Sequence, residues 1–196
     1  MPAAPPNPAE SLALWRIAET EGIGPMGFRR LLARHGSGRA ALEALPRLLA
    51  KRETPARIPS LDEAKREADA MVKLGARFMF WGSADYPPLL ALLPDAPAML
   101  AVQGDAALLA QVPSFAIVGA RNASAAGRRI AEDIAEALTK AGVLVISGLA
   151  RGVDAAAHQG ALRAGPTLAV LPGGLDVAYP PENAALQSRI GREGAL

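Results

Sequence analysis

Three times between Ser114 and Asn183 a continuously apolar run ends in glycine and polar residues and then gives way to a helical pattern: FAIVGARNAS, VLVISGLARGVD and LAVLPGGLDVAYP. The apolar starts, near residues 115, 143 and 167, are spaced close to the roughly 30 residues of a strand-helix-strand unit. Strands that are apolar throughout suit a parallel sheet covered on both faces. Between the first two, residues 125–141 set Ile130, Ile134 and Leu138 on one stripe with Ala131, Ala135 and Ala141 beside it. Arg128, Arg129, Glu132, Asp133 and Glu136 turn outward, which predicts a helix packed on that sheet.

Upstream the period is helical. Residues 1–8 are Pro/Ala-rich without periodicity and predict a disordered tail. From Ala9, Leu12, Trp15, Ile17 and Ala18 form one stripe that ends at Glu21–Gly24. A second helix is expected over 25–35, with Phe28, Leu31 and Leu32 on its apolar side, and shorter ones over 39–45 and 48–51. Residues 9–58 thus read as a small all-helical domain. Two prolines in 53–60 suggest a linker, and 60–196 reads as the α/β domain. Ser60 with Glu63 forms a capping box for a helix to about Leu74, which Gly75 ends. Residues 76–81 and 98–104 are expected strands extending the same sheet, DYPPLL (85–90) an extended segment, and 105–111 a short helix.

Composition narrows the chemistry. The chain has 196 residues, 51% of them hydrophobic, enough for a packed core. It has no cysteine and two histidines, His35 and His158, which removes disulfides and thiolate metal sites and leaves little for a histidine cluster. No metal and no cofactor is expected. No apolar run approaches the roughly 18 residues of a membrane helix, and the N-terminus has no export pattern, so a cytoplasmic protein is expected. The net charge of +2 is uneven: residues 1–58 carry nine Lys/Arg against five Asp/Glu, and residues 59–112 four against seven. The basic excess suits either a solvated helical surface or one facing nucleic acid.

Gly22-Ile-Gly24-Pro-Met-Gly27 matches the dinucleotide fingerprint in letters only, because it follows a helix and not a strand. It reads better as a helix-hairpin-helix turn with N–H groups at a helix start, followed by Arg29, Arg30 and Arg34 as possible secondary DNA contacts. A purely structural interhelical turn explains the glycines equally well. After the first strand of the repeat, Gly119-Ala-Arg121-Asn122-Ala-Ser124 lacks a P-loop lysine, and the second strand ends in Ser147-Gly148 without the acid that holds a ribose, so NAD is not expected. The turn does offer close backbone approach at Gly119, a cation at Arg121 and a helix cap at Ser124 or Asn122, the parts of a phosphate seat. The alternative is an internal ion pair of Arg121, for instance with Asp154.

The densest cluster is SGLARGVDAAAH (147–158). Gly148 and Gly152 permit a tight loop with inward N–H groups, Arg151 sits at its tip, and Asp154 is placed to cap the next helix with His158 one turn on. A general-base pair and a loop-ordering pair both fit Asp154 and His158, although no nucleophile accompanies them. The third loop adds Gly173, Gly174 and Tyr179, which could stack on a base or pack as a corner beside Pro180 and Pro181.

The segments IVGAR (117–121), SGLARGVDAAAH (147–158) and LPGGLDVAYPPEN (171–183), with DYPPLL and APAMLAVQG (96–104) upstream, resemble the DprA, or Smf, family of DNA-processing proteins. The resemblance spans nearly the whole chain. It implies an extended Rossmann-like parallel sheet with helices on both faces, preceded by a small all-helical (SAM-like or helix-hairpin-helix) domain. It further implies a homodimer without established catalytic activity that binds and protects single-stranded DNA and loads the RecA recombinase in natural transformation. Carried over by motif, Arg121 and Arg151 would contact phosphate, and Gly119, Ser147, Gly148, Gly173 and Gly174 would let the backbone approach. Measured against the family pattern, further strands, an arginine-rich R-N-R segment and parts used to dimerise are expected to be absent after Gly194-Ala-Leu196.

The rival is a related Rossmann-like enzyme that hydrolyses nucleoside monophosphates, a phosphoribohydrolase. Such enzymes carry a P-G-G-x-G-T turn followed by a glutamate. Here Pro172-Gly173-Gly174 continues as Leu175-Asp176-Val177, so the catalytic glutamate has no counterpart.

Overall fold

The computed structural model describes residues 5–50 and 56–196, in two compact units that meet in sequence at Ala101 and Val102. The tail residues 1–4, Lys51 at the end of an expected helix, and residues 53–55 of the expected linker lie outside the described residues.

The first unit begins with α1 (Pro8–Ala18), α2 (Pro25–His35) and α3 (Gly38–Leu49). Order starts ahead of Ala9, because the Asn7 side chain accepts from Glu10 N–H and Pro8 supplies a preset first-turn φ. The two short helices expected around Pro46 are one: Leu45 and Leu49, on either side of the proline, are both buried, and that burial outweighs the missing N–H. α4 (Leu61–Lys73) starts at the Ser60/Glu63 capping box. It is followed by β1 (Ala76–Phe80), α5 (Pro88–Ala91) and β2 (Met99–Gln103). DYPPLL is therefore not wholly extended. Pro88 opens a helical turn, where a proline has no N–H to waste. β1 and β2 form a two-stranded sheet of their own, which meets the three-stranded one only at the end of β2, where Gln103 and Gly104 pair with Leu196 and Ala195. Phe78, Phe80, Trp81 and Met99 instead pack with Leu14, Ile17, Phe28 and Leu45, so segment 60–101 shares the helical core.

The second unit holds β3 (Ser114–Ala116), α6 (Ala125–Lys140), β4 (Leu144–Ser147), α7 (Val153–Ala161), β5 (Thr167–Ala169) and α8 (Ala184–Glu193), with short 3-10 turns at Ala106–Ala110 and Pro181–Asn183. The strands are parallel in the order β3-β4-β5, with Phe115 beside Val145 and Val145 beside Thr167. Ala195 continues this sheet: its N–H donates to Thr167 O (3.1 Å) and its carbonyl accepts from Ala169 N–H (2.9 Å). Gln103 and Leu196 exchange two further backbone bonds beyond it.

α6 does not pack through its isoleucines. Ile130 and Ile134 are 58% and 48% exposed, whereas Ala131 and Ala135 are buried. The cause is Gly160 on α7, where a Cβ would collide with the backbone of Glu132. The two helices cross so closely that only small residues fit between them. β3, with Phe115 exposed, and Val118 in the loop just after it are likewise not covered as the apolar pattern predicts.

Candidate nucleic-acid interface

Because β3, β4 and β5 are parallel, the chain leaves all three at one edge of the sheet, and the loops that follow them lie side by side. The first two are tied directly. Ser147 Oγ donates to Ile117 O (2.6 Å), and Val153 N–H donates to Ala120 O (3.2 Å). Gly119 lies so close to the Val153 side chain that a Cβ would sit 2.7 Å from it. Gly152, at φ +78° and ψ −118°, presses on the carbonyls of Ala120 and Arg121 and has no room for a Cβ. Ser147, Gly119 and Gly152 therefore bring loop 117–124 against loop 148–152.

Arg121 and Asn122 are exposed at the tip of the first loop. Among the described residues Arg121 has no ion pair, and Asp154, its suggested partner, is engaged elsewhere. Ser124 is the cap of α6, accepting from Gly127 N–H (3.1 Å), and Arg128 donates to Ala123 O (2.7 Å) to brace the turn. Arg121 thus stands near the positive end of a sixteen-residue helix.

Asp154 does not cap α7. The N-cap is Gly152, without a side chain, and Asp154 in the first turn accepts from Gly148 N–H (3.2 Å), closing loop 148–152 on itself. Gly148 leaves no space for a Cβ beside that carboxylate. His158 turns away from the loop. It is fully buried, its Nδ1 2.9 Å from Thr167 Oγ1, and the Thr167 hydroxyl is already donated to Val145 O (2.7 Å), so Nδ1 carries the proton. Burial pulls the imidazole down to about 4, against the smaller opposing effects of Asp154 and the Ser147 backbone. A neutral, buried histidine fastening α7 to β4 and β5 leaves the general-base pairing without geometry.

Arg151, exposed at the tip of the second loop, forms a two-point ion pair with Glu182, through Nε to Oε1 and through Nη2 to Oε2 (3.2 Å). Asn183 Nδ2 donates to Leu149 O (2.8 Å), and Gln187 Nε2 donates to Leu175 O (3.0 Å). The third loop is thereby fixed both to the second loop and to α8. Sequence reasoning missed Glu182 and Asn183; the signal was the pair of polar residues directly after Tyr-Pro-Pro. Leu149, buried at φ +55°, carried no signal, because a non-glycine residue seldom takes that conformation. Gly173 and Gly174 are exposed on the third loop, and Tyr179 is 63% exposed rather than packed as a corner.

In the first unit, Gly22 (φ +72°) and Gly24 form the turn between α1 and α2. Arg30 and Arg34 are exposed on α2 without ion pairs among the described residues. Arg29 is used internally: it donates to Leu93 O (2.8 Å) and Pro94 O (2.9 Å) and lies 4.5 Å over the Trp81 ring.

Fold and site together define the class, a small helix-hairpin domain followed by an α/β domain whose parallel strands end in a glycine-lined, arginine-bearing edge. The chain belongs to the DprA (Smf) family: the DNA recombination-mediator protein A family model matches residues 77–196, and the DprA-like N-terminal HHH domain matches residues 8–70. It is 40% identical over 124 residues to Protein Smf of Synechocystis sp., covering 61% of this chain and 31% of that protein. With the DNA processing protein DprA of Streptococcus pneumoniae it is 41% identical over 109 residues, 55% of this chain and 38% of that one. The X-ray structure of the S. pneumoniae protein superposes with a TM-score of 0.70 at 28% identity, over 93% of this chain and 64% of that one. DNA processing protein A of Helicobacter pylori, solved for its single-stranded DNA binding mode, gives 0.54 at 30% identity, over 61% and 53%. The chain thus spans about a third of the length of these curated relatives.

Proposed function

We propose that this chain binds single-stranded DNA at the edge formed by the loops after β3, β4 and β5, in DNA processing during transformation or recombination, without catalysing a reaction. The observation that carries the proposal is Arg121, an exposed arginine without an ion pair among the described residues, beside the N-terminal turn of α6. A guanidinium and a helix N-terminus together favour a phosphate by charge and by hydrogen bonding. A strand of DNA passing the edge would set one phosphate at Arg121 and another at Arg151. The exposed ring of Tyr179 offers a stacking face for a base, a contribution of roughly 1–3 kcal/mol. Gly173, whose Cβ position faces open space, keeps a side chain off the surface the strand would follow, while Gly119 and Gly148 let the first two loops close against Val153 and Asp154. Protection of the strand, loading of RecA and pairing into a homodimer belong to the same proposal, supported by membership of the family. A cytoplasmic setting belongs to the same proposal, and no helix among the described residues is long and apolar enough to cross a membrane.

The test is fluorescence anisotropy of a labelled single-stranded oligonucleotide with wild-type and Arg121→Glu protein, each confirmed folded by circular dichroism. The proposal expects binding that unlabelled duplex does not displace and that Arg121→Glu abolishes. Equal affinity in the variant would move the DNA site away from this edge.

A further inference from the structure

The two arginines of the edge are not equivalent. Arg121 has no carboxylate among the described residues, whereas Arg151 presents its Nε and Nη2 to both oxygens of Glu182, the fork-to-fork geometry with which a guanidinium also takes two phosphate oxygens. Glu182 is held where it can do this. The next residue, Asn183, donates to the carbonyls of Leu149 (2.8 Å) and Ala150 (3.4 Å), on the very loop that carries Arg151. Both partners are half exposed, so the pair is hydrated and exchangeable, and a pair of that kind alters an equilibrium by about fivefold at most. It is strong enough to occupy Arg151 and too weak to withhold it from a polyanion.

We propose that Glu182 sets the ligand specificity of this edge by standing in for a phosphate on Arg151, which it yields to a phosphodiester strand already held at Arg121 but not to an isolated phosphate. An inorganic phosphate or a nucleoside monophosphate reaches one arginine at a time and meets, at Arg151, a carboxylate that is always present. A strand anchored at Arg121 brings its next phosphates to Arg151 at high effective concentration and displaces the carboxylate. Glu182 would then separate a polymer-binding edge from a mononucleotide-binding one built on the same fold. This inference rests on the proposed DNA site, yet part of its test does not.

Glu182→Gln keeps the shape and removes the charge. Two measurements are made on it beside wild type, Arg151→Ala and the double variant. In thermal unfolding with inorganic phosphate, the inference expects Glu182→Gln to be stabilised by phosphate clearly more than wild type, and the added Arg151→Ala change to erase the difference. Equal phosphate stabilisation of wild type and Glu182→Gln overturns it, whether or not DNA binds. In anisotropy with a single-stranded oligonucleotide, it expects Glu182→Gln to tighten binding two- to fivefold, again only when Arg151 is present. Weaker binding would overturn it by showing that Glu182 positions Arg151. A greater phosphate effect with no DNA binding by any form would sustain the inference about Arg151 and defeat the DNA proposal.

Discussion

Replacing Gly152 by alanine separates this architecture from a generic glycine-rich loop. At φ +78° and ψ −118° the residue occupies backbone space that side-chain-bearing residues avoid, at a strain of about 1–3 kcal/mol. The new methyl would also press into the carbonyl of Ala120 and lie 2.7 Å from that of Arg121, so loop 117–124 must move to admit it. For a domain the size of Val102–Leu196, each 1 kcal/mol corresponds to about 4–8 °C in Tm. Gly152→Ala should therefore melt at least about 4 °C below wild type by circular dichroism and, in anisotropy, lose affinity because Arg121 is displaced. Gly173 is the control: a Cβ there meets nothing within 4 Å and its φ is not left-handed, so Gly173→Ala should stay within about 0.5 kcal/mol. Unchanged melting and binding in Gly152→Ala, or an equal loss of Tm in Gly173→Ala, would refute the packing of the two loops described above.

The unfolded chain protonates His158 near 6.5 and the folded chain only near 4, so stability complete above pH 6.5 should fall as the pH drops toward 4. Unfolding free energies from urea titrations at pH 7.5 and 4.5 should differ by about 2–3 kcal/mol from this group, and a stability that rises on acidification would contradict its neutral burial. Thr167→Val strands the Nδ1 proton of His158 and should cost about 1–3 kcal/mol in urea unfolding; a stabilised variant would contradict the hydrogen bond. Arg29→Met should lower Tm through the lost Trp81 stack and carbonyl bonds while leaving oligonucleotide affinity unchanged, and lost affinity at unchanged Tm would return Arg29 to the DNA contacts.

The meeting of the three loops was legible in the sequence because its determinants are local: an apolar strand, a glycine turn and a helix cap each announce themselves, and a parallel sheet gathers them at one edge. What was not legible depends on tertiary choices. Burial of Leu45 and Leu49 carried a helix through Pro46. The close approach at Gly160 turned α6 onto its alanines, although Ile130 and Ile134 made the more hydrophobic stripe. Phe80 and Met99 joined the helical core, giving β1 and β2 a two-stranded sheet of their own that touches the parallel one only at the end of β2. At the edge itself, Asp154 was recognisable as a loop residue, but its bond to Gly148 N–H in place of a helix cap, and the Arg151–Glu182 pair, join residues whose separation in sequence carries no pattern.

The most direct test of the central claim is the salt dependence of single-stranded oligonucleotide affinity in wild-type and Arg121→Ala protein. If Arg121 neutralises a phosphate, log affinity against log salt should be steep in the wild type and shallower by about 0.7 in the variant, with weaker binding to every sequence tried. Two folded proteins with the same slope and the same affinity would show that the edge of β3 does not hold the DNA backbone.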